Sequence, residues 1–258
     1  MLHRRLRHPA DRPNRQCGAA RQPAEGRRVK GQVALVTGAS RGIGRATALA
    51  LASAGVHVVL TARSQGGLEE TDDLIRAAGG SATLLPLDLI KEADKLDMLG
   101  PSVVQRFGRL DILVHAAGLL AKLTPAAHIP PRDWGDSLAV NATAAYRLIR
   151  ACDPPLRAAP AGRALFLHDA HATEPTPYWS LYSTAKAAQA HLVQCWASEV
   201  AMTPLRVALV DPGIVATNLR AAAFPGEDPA KLRQPGDVGA SILALLGQDF
   251  AHGATLRV

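Results

Sequence analysis

From Val29 onward, short β-branched apolar runs alternate with longer segments of helical spacing. The pattern predicts a strand over Val33–Thr37, a helix over 43–54 and a second strand over Val56–Thr61. Ser64 is placed to cap a helix running to about Ala78, where Gly79-Gly80 stops it. Strands three and four are expected over Ala82–Leu87 and Leu110–His115, with helical spacing across 91–106 between them. A helix over Arg132–Arg150 leads to strand five at Arg163–His168. The Ala-rich stretch Ser180–Met202 reads as a long helix, Arg206–Val210 as strand six, and 236–247 as a last helix before Ala254–Val258. Strands that are apolar throughout and separated by helices are buried on both faces. The expectation is one α/β domain over 29–258, a doubly wound parallel sheet with helices on both faces.

Composition narrows the class. With 48% hydrophobic and 20% charged residues, the 258-residue chain is of ordinary globular make-up and can bury a core without disulfides or metals. Three scattered cysteines form no CxxC pair and no metal-ligand spacing, so no metal site is expected and a reducing, cytoplasmic setting fits best. No apolar run is long enough to span a bilayer. Aromatics, at 4%, are too sparse for a base-stacking surface, which weighs against nucleic acid as a partner. The net charge of +7 is concentrated at one end: residues 1–28 hold eight arginines against Asp11 and Glu25, leaving 21 basic and 20 acidic residues in 29–258. Without helical or strand period, 1–28 reads as an Arg-rich disordered extension. It lacks the apolar core of a secretory signal, while a transit peptide or an arm for anionic surfaces stays open.

Between the first strand and helix stands Thr37-Gly38-Ala39-Ser40-Arg41-Gly42-Ile43-Gly44. In that context free backbone amides and the positive end of the helix suit a dinucleotide pyrophosphate. The spacing G-x-x-x-G-x-G with a leading Thr resembles the short-chain dehydrogenase/reductase family, and the resemblance runs from about Val29 to the end. Asp88 after strand three, His115-Ala116-Ala117-Gly118 as a variant of Asn-Asn-Ala-Gly, Asn141, Tyr182-x-x-x-Lys186 and Asp211-Pro212-Gly213 follow in the family's order. The family implies a Rossmann-like fold and a nicotinamide cofactor. It implies cofactor contacts from Gly38, Ser40, Arg41, Gly42, Ile43 and Gly44, from Ala116 and Gly118, and from Tyr182, Lys186, Pro212 and Gly213. By the same resemblance Asp88 and Leu89 frame the adenine, and Ile214 and Thr217 contact the nicotinamide amide. After strand two, where NAD users place an acid, the chain reads Thr61-Ala62-Arg63. Arg41 and Arg63 suit a 2′-phosphate, which favours NADP with NAD as the alternative.

Tyr182 and Lys186 are four apart and share a helix face. The resemblance makes Tyr182 the general acid or base for a small carbonyl or secondary-alcohol substrate. Lys186 and an oxidised nicotinamide then together lower the phenol's pKa, Lys186 also holds the ribose, and Asn141 holds a water of the proton relay. The family's fourth member is a Ser about thirteen residues before the Tyr; here that slot holds Asp169. An ionised carboxylate accepts and cannot donate, and it repels a developing alkoxide. A protonated Asp169, His168 or His171, or Thr173 or Ser180 could replace the missing donor. The alternative is a catalytically weakened member that binds cofactor as a sensor or serves a partner. A flap over about 214–234 is expected above the substrate, and family members commonly pair as homodimers or homotetramers.

Overall fold

The computed structural model describes residues 29–258; the Arg-rich segment 1–28 and the expectations placed on it lie outside the described residues. Seven strands form one all-parallel sheet: β1 (Val33–Thr37), β2 (His57–Ala62), β3 (Ser81–Pro86), β4 (Ile112–His115), β5 (Arg163–Leu167), β6 (Arg206–Asp211) and β7 (Thr255–Arg257). Their order in space is β3-β2-β1-β4-β5-β6-β7, so the direction of winding reverses between β1 and β4. A doubly wound sheet opens a crevice beyond the carboxyl ends of the strands at that reversal.

The helices are α1 (Gly42–Ser53), α2 (Gln65–Ala77), α3 (Leu99–Phe107), α4 (Pro131–Leu138), α5 (Ala144–Ala158), α6 (Ser180–Glu199), α7 (Asn218–Ala223) and α8 (Pro235–Leu246). Alternate residues of each central strand feed opposite cores, as the pleat requires. Leu35, Leu113 and Phe166 pack with Leu148 and Trp196 on one face. Ala34, Val36 and Val114 pack with Leu51 and Ile242 on the other. Ser64 caps α2 as expected, its hydroxyl accepting from the Gly67 amide at 3.2 Å. Among the described residues no helix is long and apolar enough to cross a membrane.

One helix departs from the sequence reading. The single helix expected over 132–150 is divided: α4 passes into a π-helical turn, Ala139–Thr143, before α5 continues to Ala158. A π turn inserts a residue into the helical repeat and so rotates the succeeding turns about the axis. Here it carries the fully buried Asn141. The segment expected as a flap, 214–234, carries structure of its own. It holds α7, capped by Thr217, and its ends meet in a bridge between Val215 and Arg233.

Candidate active site

The glycine loop is fixed by contacts that exclude side chains. Gly38 has φ +68°, and a Cβ there would lie 2.8 Å from the Ala117 amide nitrogen. At Gly44 a Cβ would lie 2.3 Å from the Gly38 carbonyl oxygen. The Thr37 hydroxyl accepts from the Ala117 amide at 3.2 Å and lies 2.8 Å from His115 Nδ1, joining the ends of β1 and β4. Burial pulls His115 down to about 3, so its ring is neutral. Arg45 was not foreseen: its guanidinium binds Thr71 at 3.1 Å and Glu70 at 2.8 Å, and also the Ser40 carbonyl, pinning the loop to α2. α1 starts without a side-chain cap and without an acid in its first turn. Uncapped amides at a positive helix end fit an anionic pyrophosphate. Thr217 borders the same loop, its methyl 3.6 Å from where a Gly42 Cβ would stand. Its hydroxyl is occupied in capping α7, accepting from the Arg220 amide at 3.2 Å.

At the edge of this crevice Arg41 and Arg63 are exposed, and neither guanidinium is hydrogen-bonded to another described residue. Asp88 accepts the Ile90 and Lys91 amides at 2.9 and 3.2 Å; the Ile90 bond, with help from the Arg63 charge, holds its carboxyl below the usual range. Leu89 is half-buried beside it, packed against the core. Across the crevice the Asp211 carboxylate accepts the Gly213 amide at 2.8 Å, which shapes the Pro212-Gly213 turn, and Ile214 is exposed just beyond.

α6 brings Tyr182 and Lys186 onto one buried face. Lys186 Nζ donates to the Leu167 carbonyl at 2.8 Å and to Gln189 Oε1 at 2.9 Å. Burial draws its ammonium down to about 8, against the opposing pull of the Asp169 charge. Gln189 was missed in the sequence, where its only signal is a position one turn beyond Lys186 on the same face. Asn141 donates to the Leu119 carbonyl at 2.8 Å and accepts from its amide at 3.0 Å, so its side chain braces the segment after Gly118. Ser180 opens α6 with a buried hydroxyl, and Thr173 bonds the Ala170 carbonyl at 3.1 Å.

Asp169 directly follows His168 at the end of β5 and faces Tyr182. The Tyr182 hydroxyl donates to Asp169 Oδ2 at 3.3 Å. Asp169 Oδ1 accepts both the His171 amide, at 2.9 Å, and His171 Nδ1, at 2.6 Å. The His171 ring stacks on buried Trp179 with centroids 3.8 Å apart, and Phe224 of the flap lies against Trp179 at 5.9 Å. Of the donors proposed to stand in for Ser, His171 is therefore the one bonded to Asp169. His168 is nearly buried, and burial lowers its pKa. Lys186 and an oxidised nicotinamide were together expected to lower the Tyr182 phenol; among the groups of the chain itself, burial, followed by the Asp169 charge, pushes it well above its ordinary value. A cavity of about 550 Å³ beside Leu110 and Asp111 lies at the opposite end of the strands, away from these residues.

Known proteins share this frame. The short chain dehydrogenase family matches residues 32–228. The oxidoreductase YciK of Escherichia coli K12 is 34% identical over 220 residues, covering 84% of this chain and 87% of its own. D-beta-hydroxybutyrate dehydrogenase of Rhizobium meliloti is 32% identical over 206 residues, 78% of each chain. A short chain dehydrogenase of Shigella flexneri, solved with NADP, superposes with TM-score 0.85 at 32% identity over 90% of this chain and 99% of its own. A related structure from Escherichia coli CFT073, solved with NADPH, gives TM-score 0.85 at 32% identity, covering 91% and 99%. The sheet order, the glycine loop and these matches agree, and the chain belongs to the short-chain dehydrogenase family as an oxidoreductase.

Proposed function

We propose that the protein is an NADP-dependent oxidoreductase that moves hydride between nicotinamide and a small carbonyl or secondary-alcohol substrate. The observation that carries this reading is the buried pair Tyr182 and Lys186 on α6, with Lys186 bonded to the Leu167 carbonyl and Tyr182 to Asp169 at the carboxyl end of β5. Bound NADPH supplies the hydride. The loop Gly38–Gly44 and the first turn of α1 would hold the pyrophosphate, with Ala116 and Gly118 as further cofactor contacts. Arg41 and Arg63 take the 2′-phosphate, and Asp88 with Leu89 borders the adenine. Pro212, Gly213, Ile214 and Thr217 line the nicotinamide side. Tyr182 Oη gives its proton to the substrate oxygen in reduction and takes it back in oxidation. Lys186 holds the nicotinamide ribose, and Asn141 keeps the floor of the site in place.

A specific observation also favours a second reading, a weakened enzyme that works by binding cofactor. Tyr182 donates to Asp169, whose charge helps to hold the phenol protonated. Turnover of NADPH on a panel of ketones and aldehydes decides between the two. Turnover that falls at least about a hundredfold in Tyr182→Phe establishes the first reading. Turnover that arises only in Asp169→Ser establishes the second.

A further inference from the structure

We infer that the substrate carries a hydrogen-bond donor, an O–H or N–H, on the atom next to its reacting carbon, and that Asp169 is the residue that reads it. The inference rests on Tyr182 as the proton-exchanging group.

The two oxygens of Asp169 have different surroundings. Oδ1 is committed to the amide and ring of His171, and the ring is held by its stack on Trp179. Oδ2, among the described residues, takes only the Tyr182 hydroxyl, and at a long 3.3 Å. The side chain is 28% exposed, so a bound molecule can reach it.

When a carbonyl substrate enters, its oxygen must draw the Tyr182 O–H to itself. Oδ2 then loses its donor while still partly buried, and an acceptor left bare in such a place is unfavourable. A substrate bearing a vicinal O–H or N–H restores the bond as the Tyr182 proton leaves. The partners exchange in one step, and the proton count is unchanged. The oxygen and donor of a vicinal pair lie at a spacing of the same order as Tyr182 Oη and Asp169 Oδ2, so both contacts form side by side. A plain ketone leaves Oδ2 facing the developing alkoxide without relief. A carboxylate at this position, acceptor only, therefore selects for a donor where a hydroxyl, both donor and acceptor, would not.

The test uses the full chain with NADPH and four matched probes: cyclohexanone, 2-methoxycyclohexanone, 2-hydroxycyclohexanone and 2-aminocyclohexanone. In the wild type, kcat/KM for the hydroxy or amino ketone should exceed that of the methoxy ketone by about tenfold to a hundredfold. A larger advantage for the amine assigns an N–H donor; a larger one for the alcohol assigns O–H. Asp169→Ser and Asp169→Ala should each erase the preference. A second readout is independent of turnover: binding of trans-1,2-cyclohexanediol against its monomethyl ether to the NADPH-loaded protein, followed by cofactor fluorescence. The diol should bind about tenfold tighter in the wild type and no tighter in either variant. Equal affinities in the wild type, or a preference that survives in both variants, overturns the inference. Loss of turnover in every arm with the diol preference intact removes the proposed proton exchange by Tyr182 with such ketones and leaves Asp169 as the donor-reading residue.

Discussion

Lys186 and Tyr182 are one helical turn apart, yet burial drives their proton affinities in opposite directions, because one is charged when protonated and the other when deprotonated. The ammonium, drawn down to about 8, is the form that donates to Leu167 and Gln189 and that would hold a ribose hydroxyl. Reductive kcat/KM is therefore expected to fall as pH rises through about 8, the point at which Lys186 sheds its proton. In Gln189→Leu, which removes an acceptor of the charged form, that limb should move to lower pH; a pH profile of both proteins checks it. Stability responds in the other sense. Above about 8 the unfolded chain still holds a lysine proton that the folded state has released, so this residue's contribution to stability grows with pH until the unfolded lysine also titrates. The Tyr182 phenol, held protonated in the folded state, opposes that gain once pH passes its ordinary value.

At the scale of elements, the strand–loop–helix unit β1–α1 does most of the positioning. Gly44 lets the first turn of α1 pass against the Gly38 carbonyl, and any Cβ at that position must push the loop or the helix aside. Gly44→Ala is expected to weaken NADPH binding by at least about tenfold while far-UV circular dichroism stays native; fluorescence titration measures the loss. This unit was legible in the sequence because its signal is local: a β-branched run, glycines at fixed spacing, then helical period. The α4–α5 region was not. A sequence window sees a continuous helical period over 132–150, whereas the π turn at Ala139–Thr143 depends on the packing that takes Asn141 inward to the Leu119 backbone. α7 escaped for a related reason. It is six residues long, too short for a helical period to stand out in the sequence.

At the scale of the whole molecule, the sheet order brings together residues far apart in the chain. Arg41 comes from the start of α1 and Arg63 from the end of β2, and the parallel pairing of β1 with β2 sets both at the same edge of the crevice. If they share a 2′-phosphate, Arg63→Ala should weaken NADPH by about tenfold and leave NADH within about twofold. Equal losses for the two cofactors in side-by-side titrations would remove the assignment. The sequence by itself determined the fold class, the strand succession, the glycine loop and the shared face of Tyr182 and Lys186, because periodicity and short fixed spacings carry all of them. It also showed that Asp169 stands where a hydroxyl is usual. Only the tertiary structure decided what that means. Two sides of one carboxylate, one bound by His171 on a Trp179 stack and the other by Tyr182, are set by the packing of β5, α6 and the flap against one another. The direction of the Tyr182 shift came from the same packing, since desolvation depends on everything that surrounds a side chain and not on its neighbours in sequence.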